Sequence, residues 1–179
     1  MFGNTWYVGT HGLGAVLVTS GRGHVLIDGG LPESAPLIAA NIERLGFRLR
    51  DVKWIVNSHA HFDHAGGIAE LVRRSGARVA ASPASAAVLR RGASGPDDPQ
   101  YGVLPPIAPV RVARELRDGD TVRVGALALA AHFTPGHTRG GTSWSWRSCE
   151  GEGASETCLD LVYADSQTPV SADGFSYVR

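Results

Sequence analysis

Apolar residues in this chain come in short runs that glycines and prolines cut apart. Trp6-Tyr7-Val8 and Ala15-Val16-Leu17-Val18 are two such runs, with Gly9, Gly12 and Gly14 between them. The pattern predicts two antiparallel strands joined by a tight turn. Gly21-Arg22-Gly23 is the next turn, and His24 to Ile27 a third strand ending at Asp28-Gly29-Gly30. The period then changes. Leu37, Ile38, Ile42 and Leu45 recur at helical spacing, which predicts a helix from Ser34 to Leu45, capped by Ser34 and ended by Gly46. Val52 to Val56 returns to a β-prone run, Ile68 to Arg74 to a helical pattern ending at Gly76, Arg78 to Ala81 to a strand and Ala84 to Arg90 to a helix. Strand and helix in alternation predict a sheet covered by helices.

Gly92 to Pro109 fits neither period. It carries five of the chain's ten prolines and reads as a long surface loop, either flanking a cleft or serving only as a connection. From Val110 to Leu129 strand signals resume around the turns at Asp118-Gly119-Asp120 and Gly125. Leu127 to Phe133 and Leu161 to Ala164 are further strands. We find no internal repeat, low-complexity tract or domain boundary, and read residues 1–179 as one domain.

Composition narrows the function classes. With 179 residues, 43% hydrophobic and 19% charged, the chain can bury a core. Seventeen basic residues balance seventeen acidic ones, so nothing electrostatic favours nucleic acid or an anionic membrane. No apolar run approaches the ~18 residues needed to cross a bilayer. The opening MFGNTWYVG has neither the basic nor the apolar part of a secretory signal, so it reads as a mature or truncated end. The expected partner is a small molecule, and the expected state a monomer.

The chemistry concentrates in Asn57 to Gly67, where His59, His61, Asp63 and His64 fall within six positions. The stretch lies where a buried strand ends and a helix begins, the usual place for ligand sites in α/β folds. On an extended backbone His59 and His61 point to one side. Asp63 and His64 follow on the turn into the helix and face a second point. Imidazole and carboxylate in this arrangement suit zinc, and two neighbouring points suit two ions. Another histidine stands at a strand end in Thr134-Pro135-Gly136-His137-Thr138, a natural third ligand beside His59 and His61. Asp28, also at a strand end, either orients a metal-binding histidine or caps turn amides. His132 reads as structural, and His11 and His24 as surface or satisfied core residues.

His59-Ala60-His61-Phe62-Asp63-His64 resembles the metal signature of the metallo-β-lactamase superfamily. TPGHTRGGTSW, from Thr134 to Trp144, resembles its third motif and is similar to that of class B metallo-β-lactamases of the third subclass. The resemblance runs from Thr5 to Tyr177. It implies the αβ/βα sandwich, incomplete at its C-terminal end, because the family's last metal-binding histidine has no counterpart after His137. It also implies an exported, periplasmic hydrolase that opens the β-lactam ring of antibiotics with zinc-activated water. One zinc would sit on His59, His61 and His137. A second would sit near Asp63 and His64, held less firmly, so that one ion is retained and the 179 residues alone turn over little.

Asp63 would position the nucleophile. In Tyr163-Ala164-Asp165-Ser166, Ser166 matches a serine beside the second metal, and Thr168 a hydroxyl that holds the substrate carboxylate. A one-residue shift makes Asp165 a metal bridge, as in glyoxalase and lactonase branches. Thioester or lactone hydrolysis, or an inactive zinc-binding fragment, are therefore the alternatives. Cys149 and Cys158 flank a turn-rich segment between strand patterns and are expected to form a disulfide if the protein is exported, or else to remain two unrelated thiols.

Overall fold

The structure, a computed structural model, describes residues 1–177. Ten strands form two sheets. The first holds β1 (Thr5–Tyr7), β2 (Val16–Ser20), β3 (Gly23–Ile27), β4 (Val52–Val56), β5 (Arg78–Ala81) and β6 (Val112–Glu115), side by side in chain order. β1 to β3 pair antiparallel, and β3 to β6 parallel. The second sheet holds β7 (Thr121–Val124), β8 (Leu127–Phe133), β9 (Thr142–Glu150) and β10 (Thr157–Tyr163), all antiparallel. Four helices are interspersed: α1 (Ser34–Arg44), α2 (Phe62–Ala65), α3 (Ile68–Ser75) and α4 (Pro83–Arg91).

Strand alternation sorts the apolar residues into two cores. Leu17, Leu26, Ile55 and Val79 face the helices, meeting Ile38 and Ile42 of α1, Ile68 and Leu71 of α3 and Leu89 of α4. Their neighbours Val16, Val18, Val25, Ile27, Trp54 and Val56 face the second sheet and meet Val122, Leu129, Trp144 and Trp146. A sheet buried on both faces needs the near-continuous apolar runs that β2, β3 and β4 carry. Each fully buried Leu or Ile stabilises by about 1.5–3 kcal/mol. The outer face of the second sheet carries the exposed His132 and Arg147, so the sandwich reads helix, sheet, sheet among the described residues.

The predicted elements are present, with adjusted ends. Ser34 does not cap α1. Glu33 holds the capping position without a side-chain bond, and Ser34 is already buried inside the helix. α4 starts a residue earlier than predicted, because Ser82 caps it through Ser85 N–H and Pro83 fits the first turn. Gly76 and Gly92 end α3 and α4 at φ 74° and 79°, a left-handed conformation that costs a residue with a side chain about 1–2 kcal/mol. His24 lies buried in β3 with its ring against Phe47, and His11 and His132 are exposed. Cys149 and Cys158 are direct partners across the β9–β10 ladder, with their sulfurs 2.03 Å apart.

Candidate metal centre

The parallel order of β3, β4 and β5 brings their carboxyl ends to one edge of the sandwich. β4 ends at Val56, and the chain then passes Asn57 and a bend at Ser58 to His61, whose backbone is extended, before turning into α2. The junction of α2 and α3 packs tightly on the end of β3: a Cβ at Gly67 would run into the Gly29 carbonyl oxygen. That approach seats His64 against Asp28. The turn after β8 supplies His137 from the second sheet.

Five of the predicted donors come together. The rings of His59, His61 and His137 lie 4.7–5.0 Å apart by centroid, and His64 lies 4.2 Å from His59. Donor atoms of His59, His61 and His137 are all within 4.8 Å of one another, as are those of His59, Asp63 and His64. Both groups have donor sets that can hold a cation.

Each ring is fixed from behind, and this decides which nitrogen faces the centre. His59 Nδ1 donates to Asp165 Oδ1 at 2.8 Å, leaving Nε2 forward. His61 Nε2 lies 3.0 Å from Asp98 Oδ1, leaving Nδ1 forward. His64 Nδ1 donates to Asp28 Oδ2 at 2.9 Å, so its Nε2 faces Asp63 Oδ2 at 3.6 Å. His137 Nδ1 donates to the Thr168 carbonyl at 2.7 Å. Carboxylates or carbonyls behind imidazoles raise ligand basicity and fix the tautomer. The forward atom His59 Nε2 is buried and has no hydrogen-bond partner among the described residues. A buried polar atom without a partner is costly unless something absent from the chain itself satisfies it. That is the mark expected of a metal ligand.

Burial sets the charge states. It drives His59 down to about 2, helped by repulsion from His64 and His61, so this ring stays neutral and its lone pair is free. Burial also pulls on His64, but the hydrogen bond and charge of Asp28 outweigh it and raise that ring. Asp165 is pushed up to about 6 by burial, with Asp28 adding repulsion against a backbone bond at Ser166. Burial opposes ionisation of Asp98 too, yet the bonds from His61 and from Gln100 N–H hold it below the usual carboxylate range.

Asp28 is the hub of the second group. It is completely buried and takes Ser58 N–H at 2.7 Å, Ser58 O–H at 2.8 Å, His64 at 2.9 Å and Tyr163 O–H at 2.9 Å. It also sits at φ 64°, the one residue other than glycine with positive φ among those described. Asp28 fills both roles open to it, orienting His64 through Oδ2 and capping the Ser58 backbone N–H through Oδ1.

Asp165 stands behind His59 rather than among the forward donors, so the alternative of a bridging Asp165 does not match this geometry. Glycine makes its position possible, since a Cβ at Gly141 would meet Asp165 Oδ2 at 2.5 Å. Ser166 and Thr168 line a cleft of about 310 Å³ together with His61, Phe62, Asp63, Gln100, Leu104, His137 and Val170. The Gly92 to Pro109 loop thus flanks the cleft.

Three partners escaped the sequence reading: Asp98, Tyr163 and Gln100. Asp97 and Asp98 are the only acidic residues between Gly92 and Pro109, the one signal that pointed there.

Residues 15–149 match the family model described as the metallo-beta-lactamase superfamily. The structure is similar to that of the Rm3 metallo-beta-lactamase, with a TM-score of 0.95 and 61% identity, covering 99% of this chain and 65% of that one. It is also similar to MEM-A1, a subclass B3 metallo-beta-lactamase isolated from a soil metagenome library, at TM-score 0.94 and 55% identity, covering 98% of this chain and 65% of that one. A hydroxyacylglutathione hydrolase of Rhodopseudomonas palustris (strain BisB5) is 36% identical over 107 residues, 60% of this chain and 32% of that protein. The chain therefore spans just under two thirds of these solved structures and about a third of that hydrolase. With the match over residues 15–149 and the donor geometry in agreement, the chain belongs to the metallo-β-lactamase superfamily.

Proposed function

We propose that this chain forms the active site of a zinc-dependent β-lactam hydrolase of subclass B3. In this reading His59, His61 and His137 hold one zinc, and Asp63 and His64 contribute to a second. The observation that carries the branch is Asp165. A carboxylate bridging two metals has to stand among the forward donors, whereas Asp165 lies behind His59 at 2.8 Å and leaves the cleft wall to Ser166. The high identity to Rm3 and MEM-A1, both metallo-beta-lactamases by name, supports the same branch.

Zinc at such a centre polarises a carbonyl and brings the pKa of water from 15.7 to about 7. The protein's own groups do the rest. His59, kept neutral by burial, offers its lone pair at neutral pH. Asp63 stands at the mouth with its side chain 44% exposed, where it orients the attacking water, takes up its proton and returns that proton to the departing ring nitrogen. Ser166 and Thr168 donate to the substrate carboxylate from the cleft wall. A bond to a charged group is worth about 1.5–3 kcal/mol, so losing either hydroxyl raises KM roughly tenfold or more. The paired sulfurs of Cys149 and Cys158 support a disulfide and an oxidising, exported setting.

The test is the loss of β-lactam absorbance with zinc-loaded protein, with and without chelator, for a version extended to the length of the solved relatives and for the same version carrying Ser166→Ala or Thr168→Ala. Chelator-sensitive turnover with raised KM in both variants is expected. The similarity to hydroxyacylglutathione hydrolases supports a second reading, thioester hydrolysis. Zinc-loaded protein that spares penicillins, cephalosporins and carbapenems but cleaves lactoylglutathione would establish that reading instead.

A further inference from the structure

The loop from Gly92 to Pro109 reaches the metal centre through one ring. Asp98, buried at 9% exposure, holds His61 Nε2 with both carboxylate oxygens, at 3.0 and 3.1 Å. Gln100, two residues on, brings its side-chain Nε2 to 3.4 Å from the other nitrogen of the same ring, His61 Nδ1. Asp98 Oδ1 also takes the Gln100 backbone N–H at 2.8 Å, so the two contacts belong to one turn. An ion pair from Arg139 to Asp97 at 3.0 Å ties the same turn to the loop of His137, but in the open, where it contributes little.

We propose that Asp98 and Gln100 are positioning residues that couple metal binding at His61 to the order of this loop, which forms one wall of the cleft. The inference rests on the metal-binding reading of His59, His61 and His137. Its basis is the proton on the imidazole. A neutral ring carries one N–H, and the Asp98 carboxylate on one side and the Gln100 amide on the other place it on Nε2. A cation on Nδ1 confines that proton to Nε2, where it must be donated to Asp98. The same cation takes the Nδ1 lone pair, so the Gln100 amide loses its acceptor and turns into the cleft beside Asp63. Without a cation the same N–H is a weaker donor, and Asp98 is held less firmly. Metal therefore tightens the backbone of the loop and frees one amide to meet a substrate carbonyl or carboxylate.

The experiment is amide hydrogen exchange followed by mass spectrometry, on zinc-loaded and chelator-treated protein, with metal content measured on the same samples. Amides of Asp98, Gln100 and Tyr101 bond within this turn and are the reporters. Zinc is expected to slow their exchange roughly tenfold while α1 changes little. Asp98→Ala removes the acceptor and is expected to abolish the zinc-dependent difference. Asp98→Asn keeps an acceptor and is expected to retain part of it. Arg139→Gln should change the exchange of the loop little in either state and leave the difference intact.

Zinc bound at one equivalent or more with unchanged loop exchange in the unaltered protein would overturn the coupling and leave the metal site standing. Asp98→Ala with the full zinc-dependent difference would overturn the role of Asp98. Protein that takes up no zinc would defeat the metal-binding reading and this inference with it. The unaltered protein decides the central question even where a variant fails to fold.

Discussion

Asp28 is the most informative residue to perturb, because its stabilising and straining contributions separate. Its carboxylate accepts four hydrogen bonds while wholly buried: two from Ser58 and one each from His64 and Tyr163. Three of them, from Ser58 O–H, His64 and Tyr163, converge on Oδ2. In Asp28→Asn the better amide orientation puts oxygen toward those three donors and NH2 toward Ser58 N–H. One buried backbone donor is then orphaned and the bond to His64 loses its charge. Orphaning costs about 1–3 kcal/mol, so Asp28→Asn should destabilise by about 2–4 kcal/mol. In Asp28→Ala all four donors lose their acceptor, and the cost should be larger.

Strain enters through the backbone. At φ 64° an alanine pays about 1–2 kcal/mol that glycine does not. Asp28→Gly should therefore be more stable than Asp28→Ala by about 1 kcal/mol, although glycine is normally the more destabilising choice. Denaturant unfolding of the chelator-treated proteins measures both differences. Zinc titration reads the site, where loss of the partner behind His64 should weaken the Asp63/His64 group by about 10–100-fold. If Asp28→Asn unfolds within 0.5 kcal/mol of the unaltered protein, or Asp28→Ala is as stable as Asp28→Gly, the reasoning is wrong.

Burial lowers the pKa of His24, against the pull of its backbone bond and of Asp51, with Lys53 and Arg48 assisting burial. The unfolded chain then binds more protons than the folded one below pH ~6.5, so this residue makes stability fall as pH drops from ~6.5 towards its lowered value. His24→Leu should flatten the stability profile below about pH 6.5 in metal-free protein; parallel profiles would refute the assignment. Cys149 and Cys158 close a loop with a sequence separation of 9. Reduction, or Cys149→Ser with Cys158→Ser, should cost about 2–3 kcal/mol of unfolding free energy. Two free thiols in unfolded, unreduced protein from an oxidising compartment would show that the bond does not form.

Local signals in the sequence were read correctly because they act locally. The short apolar runs of the opening strands, the period of 3.6 in α1 and α3, and Gly76 as a stop are settled within a few residues of themselves. So was the grouping of His59 and His61, which needs only an extended backbone. His137 was found because it repeats the same context, a histidine on a turn after a strand. What the sequence hid is what acts across the fold. Asp98 looks like loop polarity until the loop folds back on His61. Tyr163 looks like one more apolar strand residue until β10 lies close enough to Asp28 for its hydroxyl to reach. The two registers of Asp165 and Ser166 looked equivalent along the strand. They differ in space by the width of an imidazole, since one residue stands behind His59 and the next opens into the cleft. Ser34 misled for the converse reason: a good capping residue was placed one step inside the helix and buried instead.

The rear partners of the four rings come from far along the chain, with sequence separations of 36, 37, 106 and 31 residues for Asp28, Asp98, Asp165 and Thr168. The histidine motif supplies the donors, but the tautomer each donor presents is set by segments that only the folded sandwich brings near. A peptide of residues 57–67 would hold three of the four imidazoles with free tautomers and free rotamers, and would have to order them at the moment of binding. The folded chain has done that ordering already, at the cost of burying three carboxylates and straining Asp28. Linkage returns part of that cost. A ligand that binds only the folded state stabilises it by about 4 kcal/mol at a thousand times its Kd. A bound metal ion would then be a structural element of the strand-end edge, and every change to a rear partner that weakens metal binding should reduce that increment of stability in proportion.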